Sequence, residues 1–162
     1  MVFLTAVVWL GKKNVLPLFG TVKYISIMEK SIVKYLGNFR VEAMYEASKQ
    51  TLKTDAGKAS GGLGEYATPV DILAQSLAAC TLTTMAMRAK RENIDLTGTY
   101  AEVGEIIEDV KTLTVEKIDI TFHIKGIADE ALRKKIENFA LKGCFVGNSL
   151  KAQKNFTFVY ED

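Results

Sequence analysis

The 162-residue sequence predicts an α+β fold, with a largely antiparallel sheet arranged around one long central helix. Three observations lead there. Residues Thr68 to Arg91 read as a single helix whose middle carries no charge. The stretches on either side alternate apolar and polar residues with the period of two expected of half-buried strands. The breaks between those stretches are short enough for tight hairpins on both sides of the helix.

The strands before the helix come first. Ser31 to Leu36 is a short run rich in Ile, Val and Tyr, and it ends at Gly37-Asn38, a turn signal. Arg40 to Glu46 alternates, with Val41, Ala43 and Tyr45 on one face and Arg40, Glu42 and Glu46 on the other. Ser48 to Thr54 is a third, polar strand. Asp55 to Tyr66 holds four glycines and reads as a flexible loop. It matches neither the phosphate loop nor the dinucleotide fingerprint, so no nucleotide is implied.

The central helix has clear ends. Thr68 is a suitable N-cap, Pro69 suits the first helical position, and Asp71 falls where a capping-box acid reaches back. Arg88, Lys90 and Arg91 stand at the other end, where cations suit the helix dipole. Ile72 to Met87 is uncharged, which predicts burial on most sides. That run is too short to cross a bilayer, and its Gln75, Ser76 and threonines argue against lipid.

After a break at Gly98, Thr99 to Glu108 and Thr114 to Lys125 read as strands. The second has the clearest alternation in the chain: Ile118, Ile120, Phe122 and Ile124 face one way, Lys117, Asp119, Thr121, His123 and Lys125 the other. Ala128 to Lys142 is an amphipathic helix striped by Leu132, Ile136, Phe139 and Ala140, and Gly143 stops it. Cys144 to Leu150 forms a short helical turn, and Asn155 to Tyr160 a last strand. Residues 28–162 thus make a single domain. Residues 1–27 form an amino-terminal extension: an added strand, or, as we expect, a segment upstream of a natural start at Met28.

Bulk composition excludes several function classes. A net charge of +2, with no basic run interleaved with aromatics, asks for neither nucleic acid nor an anionic membrane. Two cysteines, Cys80 and Cys144, and one histidine do not make a zinc ribbon or a CxxC redox motif. Nothing marks the chain as secreted; a cytoplasmic setting is expected, where a permanent disulfide is the less common use of two cysteines.

The candidate chemistry rests on sulfur. His123 lies on the polar face of its strand and reads as a surface histidine, which leaves no Cys–His nucleophile of the protease kind. Cys80 shares a helix face with Leu73, Leu77, Thr84 and Met87. It is either a packed core cysteine or a reactive one. Reactivity requires the thiolate, and apolar burial opposes it. The dipole of its own helix fades within the first turn, well before Cys80. A cation is then expected to supply the activation: a guanidinium about 4 Å away at an effective dielectric near 20 contributes on the order of 4 kcal/mol. Of the four arginines, Arg88 and Arg91 fit a helix end and Arg133 a surface helix face. Arg40, on a strand that could lie over the central helix, is the candidate, with a solvated strand residue as the alternative. Cys144 opens a helical turn, where backbone N–H groups favour a thiolate; it is equally a small residue at a helix junction. Whether the two thiols reach each other is not legible in the sequence.

Three segments carry a resemblance. PVDILAQSLAAC, Pro69 to Cys80, resembles the first motif of the OsmC/Ohr family of stress-induced hydroperoxide reductases. CFVGNSL, Cys144 to Leu150, resembles the second, usually Cys-Pro-Val followed by a serine or threonine and a leucine. YLGNFRVEA, Tyr35 to Ala43, resembles the amino-terminal strand pair of one OsmC-like branch. Two departures stand out: Val70 holds the position where many members have Glu, with the acid one later at Asp71, and Phe145 replaces the proline. The resemblance implies an intertwined homodimer, two antiparallel sheets wrapped around central helices, and active sites at the interface. It further implies Cys80 as peroxidatic cysteine, Cys144 as resolving cysteine, Arg40 held by Asp71 against the reactive sulfur, and a substrate pocket on the face of Leu73, Leu77, Thr84 and Met87. Reduction by dihydrolipoyl or other dithiol donors, without metal or flavin, is the associated expectation. The function read here is reduction of organic hydroperoxides; a small-molecule or lipid-binding protein of the same fold, or a redox sensor that does not turn over, is the alternative.

Overall fold

The structure is a computed structural model that describes residues 30–161, so the amino-terminal extension lies outside the described residues. Three antiparallel strands come first: β1 (Ser31–Gly37), β2 (Arg40–Tyr45) and β3 (Gln50–Thr54). The turn at Gly37-Asn38 is present, with positive φ at Gly37, Asn38 and Phe39. Directly paired residues share a sheet face. The pairs Val33–Ala43, Tyr35–Val41 and Ala43–Leu52 therefore build one apolar face. Within one chain that face is open: Val33 is 66% and Tyr35 67% exposed.

The Asp55–Tyr66 segment, expected to be a flexible loop, is tied down instead. A single 3-10 turn occupies Lys58–Ser60. The Asp55 side chain is buried, and its Oδ2 accepts from the Arg40 guanidinium at 2.9 Å and from Glu65 N–H at 3.2 Å. Arg40 also pairs with Glu65 and lies over the Tyr66 ring. Gly62 is needed where it stands, because a Cβ there would meet the Ala56 carbonyl oxygen at 2.0 Å. A buried carboxylate has to be paired, and pairing this one with β2 fastens the loop.

Helix α1 (Pro69–Lys90) has the predicted capping box, with Thr68 Oγ1 accepting from Asp71 N–H and Asp71 Oδ2 accepting from Thr68 N–H. The second sheet follows, in the order β4 (Tyr100–Asp109), β5 (Thr114–Lys125), β6 (Gln153–Glu161). β4 and β5 form the expected antiparallel hairpin; β6 runs parallel to β5, so this sheet is mixed. The reason is the connection. Helices α2 (Glu130–Gly143) and α3 (Phe145–Ser149) carry the chain back before β6 begins, and a helical crossover returns a strand parallel. The alternation read on β5 holds: Ile118, Ile120, Phe122 and Ile124 are all buried. They face Ala74, Leu77, Met85 and Ala89 of α1 and Ile136 and Ala140 of α2 in one core.

By length and composition α1 suits a membrane span, yet α2, α3, β4 and β5 all pack on it, which is the setting of a core helix. Burial on most sides is not what one chain shows. Gln75, Ser76, Ala79, Thr83, Ala86 and Met87 form an exposed face. The first sheet, which would be the natural cover, makes no more than marginal contact with α1 or the second sheet among the described residues.

The Arg40–Asp55 pair gives the first prediction. The bound guanidinium holds the Asp55 carboxyl below the usual carboxylate range, against the upward push of burial. A depressed folded-state value contributes stability above the unfolded value, about pH 3.9, and loses it as pH falls through the folded value. Asp55→Asn is therefore expected to lower Tm at pH 7 and to flatten the acid loss of Tm below about pH 4. Differential scanning fluorimetry across that range checks it; an unchanged Tm at pH 7 contradicts it.

Candidate active site

Cys80 and Cys144 meet where α3 packs on α1. Cys80 sits near the middle of α1, half-buried, and Cys144 is buried between α2 and α3. Both are free thiols. The approach is close at Gly143: a Cβ there would stand 3.0 Å from Thr84 Cγ2 on α1, so a larger residue at the end of α2 would have to push that methyl aside. Cys144 follows at once in extended backbone and serves as the N-cap of α3, its Sγ accepting from Gly147 N–H at 3.2 Å. The Thr81 hydroxyl, 3.0 Å from the Leu77 carbonyl oxygen, lies 3.6 Å from Cys144 Sγ.

The environment treats the two sulfurs differently. Burial pushes the Cys80 thiol up. The Val146 N–H, the Cys144 thiol, the Phe145 N–H and the Thr84 hydroxyl outweigh it, and the net direction is down. For Cys144, burial pushes up and donation towards Cys80 pushes further the same way; Gly147 N–H and the Thr81 hydroxyl offset only part, and the net direction is up. A hydrogen bond from one thiol to another has this consequence: the acceptor is stabilised as an anion while the donor must keep its proton. The surroundings thus favour the anion at Cys80 more than at Cys144.

The sequence argument asked for a guanidinium. Within one chain, the groups that favour the Cys80 anion lie at the start of α3, a helix other than the one bearing Cys80. Arg40 is engaged with Asp55 and Glu65 on the first sheet. Asp71 does not hold Arg40; its Oδ2 is taken by the Thr68 N–H and hydroxyl, and it acts as the capping acid of α1. The carboxylate partners of Arg40 are Asp55 and Glu65, which the motif spacing did not indicate. Leu77 and Thr84 are buried beside the cysteines, Leu73 is half-buried, and Met87 is 61% exposed. The four do not close a single pocket within one chain. His123 lies on the outer face of β5, between Glu102 at 3.1 Å and Glu161 at 3.2 Å, stacked on Tyr100.

Sequence reasoning missed Lys154. From β6 its Nζ donates to the carbonyl oxygens of Gly147, at 2.9 Å, and Leu150, at 2.8 Å. Those are the unpaired carbonyls at the C-terminal end of α3. Cys144 fastens the helix at one end and Lys154 at the other. A lysine bound to backbone carbonyls leaves no mark in a motif.

Comparison with known proteins follows. A family model described as OsmC-like protein matches residues 62–159. No curated protein matches the chain. Among solved structures, one from Psychrobacter arcticus, named for osmotic stress induction and a detoxification response, is 31% identical. It covers 86% of this chain and all of its own, with a TM-score of 0.74. An OsmC-like protein of Mycoplasma pneumoniae, 18% identical, covers 83% of this chain and 99% of its own at a TM-score of 0.67. An organic hydroperoxide resistance protein of Legionella pneumophila, 17% identical, covers 86% and 100% at a TM-score of 0.58. The last two show the fold alone.

Lys154→Met removes two charge-assisted hydrogen bonds and is expected to loosen α3, at a stability cost of about 1–3 kcal/mol. The specific readout is reactivity: Cys80 should alkylate more slowly at pH 7, and Lys154→Arg should restore most of the rate. Wild-type alkylation in Lys154→Met would show that α3 holds its place without the lysine.

Proposed function

The chain belongs to the OsmC-like family, and from that premise we propose that it is a cysteine-based peroxidase reducing organic hydroperoxides at the expense of a dithiol. What carries this reading is the placement of two free thiols together where α3 packs on α1, in surroundings that favour the anion at Cys80 and the neutral thiol at Cys144. A peroxidatic sulfur has to be an anion, and a resolving sulfur has to wait beside it as a thiol.

The steps balance. Cys80 thiolate attacks the terminal peroxide oxygen; an S–O bond forms, the O–O bond breaks, and the alkoxide leaves to take a proton as the alcohol. Cys80 is now a sulfenic acid, oxidised by two electrons while the peroxide is reduced by two. The Cys144 sulfur attacks it, a disulfide forms, and the departing oxygen leaves as water with the Cys144 proton. A dithiol donor reopens the disulfide by exchange and is itself oxidised to a disulfide. The cytoplasm, where such donors stay reduced, is the setting of the proposal.

The active assembly in this reading is a homodimer. The open face of α1 and the open apolar face of β1–β3 are surfaces of the kind a second copy would cover. Leu73, Leu77, Thr84 and Met87 would then line the substrate pocket, favouring an organic peroxide over hydrogen peroxide. In the same assembly Arg40, oriented by Asp55, is the guanidinium offered to the other protomer's Cys80, adding to the N–H groups already in place. Asp71 contributes as the cap of the helix that bears the sulfur.

Intact-mass spectrometry after one equivalent of cumene hydroperoxide tests the reading. The expected result is loss of two hydrogens, absent in Cys80→Ser, with Cys144→Ser stopping at the sulfenic acid. Arg40→Met should form the disulfide more slowly. Turnover with dihydrolipoamide should follow in the unmodified protein. An unchanged mass with both thiols still free ends the peroxidase reading.

A further inference from the structure

We propose that the Thr81 hydroxyl is a switchable donor to Cys144: its one hydrogen rests on the Leu77 carbonyl oxygen while Cys144 is a thiol, and turns to Cys144 Sγ when that sulfur takes on negative charge. The inference rests on the reading of Cys144 as the resolving thiol and adds a side chain of α1 that serves it.

Three observations meet at this hydroxyl. The first is distance. Thr81 Oγ1 lies 3.0 Å from the Leu77 carbonyl oxygen and 3.6 Å from Cys144 Sγ, which is 63 residues away in the chain. The bond to Leu77 is ordinary for a threonine inside a helix. The sulfur is a second acceptor, which α1 alone does not supply. A hydroxyl carries one hydrogen, so it serves one of the two acceptors at a time. The second observation is burial. Thr81 is fully buried and Cys144 is 2% exposed. A sulfur anion in that setting needs donors from the protein itself. Gly147 N–H, at 3.2 Å, is one fixed donor, and the Thr81 hydroxyl is the movable one. The titratable group facing Cys144 from α1 is Cys80, a thiol; Lys154, from β6, is bound to carbonyls at the far end of α3, and Lys142 on α2 is exposed. The third is acceptor strength. A thiol sulfur accepts weakly, so the carbonyl holds the hydrogen at rest; an anionic sulfur is a charged acceptor and draws it over. The change is a turn about the Cβ–Oγ1 bond, with every heavy atom in place. In the resolving step the hydrogen stays on Thr81 and turns to the sulfur as the Cys144 proton departs.

Two substitutions separate the hydroxyl from the packing. Thr81→Val deletes the hydroxyl and keeps the branched shape; Thr81→Ser keeps the hydroxyl and deletes the methyl. The measurement is an NMR titration of the full chain, with the Cβ resonances of Cys144 and Cys80 followed separately against pH. It needs no peroxide and no turnover, so a failure here and a failure of the peroxidase reading are told apart. Thr81→Val is expected to move the Cys144 midpoint up, lowering its thiolate fraction at a given pH by about tenfold. Thr81→Ser is expected to keep the wild-type midpoint. Should Thr81→Val fail to fold, the unmodified protein still decides: the carbonyl carbon resonance of Leu77, which gives up its hydroxyl donor, should shift through the Cys144 midpoint. A Thr81→Val midpoint equal to wild type, an equal shift in Thr81→Ser, or a Leu77 carbonyl that does not follow Cys144 overturns the proposal.

Discussion

One juxtaposition organises the site: Cys144, at the start of α3, faces Cys80 on α1, and each thiol biases the ionisation of the other. It makes two chemically identical side chains unequal. Cys80 is drawn towards the anion and Cys144 towards the neutral thiol. The backbone N–H groups of α3 add to the same asymmetry. They lower the charge cost at Cys80, while Gly147 N–H, which favours the anion of Cys144, is too little to reverse burial there.

That juxtaposition depends on a close approach that the fold secures from several directions. Gly143 lets the end of α2 touch Thr84. The Cys144 sulfur caps α3 at its start, and Lys154 ties down its end. α1 itself is fixed by the Thr68–Asp71 box and by the packing of Leu77, Met85 and Ala89 against β5 and α2. Cys80 therefore sits on a long, capped helix, and the groups beside it arrive on a five-residue one. The short helix is the part of the site whose position is most easily changed by substitution, because few core contacts hold it.

The sequence made the scaffold readable and the site only half so. The capping box of α1, the alternation of β5 and the stripe of α2 are local patterns, set by residues three or four positions apart, and each was found in its place. The parallel pairing of β6 was not legible, because direction comes from the crossover and not from Gln153 to Glu161. The Asp55 loop looked mobile because its glycines are local and its anchor, Arg40, lies fifteen residues earlier. Cys80 and Cys144 were visible as candidates, yet their meeting across 63 intervening residues was not. The expected cation followed from charge alone; backbone N–H groups at the start of α3 favour the same anion and carry no residue-type signature. Asp71 was read both as a cap and as a partner for Arg40, and its oxygens are committed to the cap.

The proposed dimer would cover both the open face of α1 and the open apolar face of β1–β3. The central claim, however, concerns one sulfur, and the titration of Cys80 in the unmodified protein tests it most directly. Alkylation against pH, resolved by peptide, is predicted to give Cys80 a midpoint below about 8.5, with that of Cys144 above it. A Cys80 midpoint above about 9, or one higher than that of Cys144, would contradict the account.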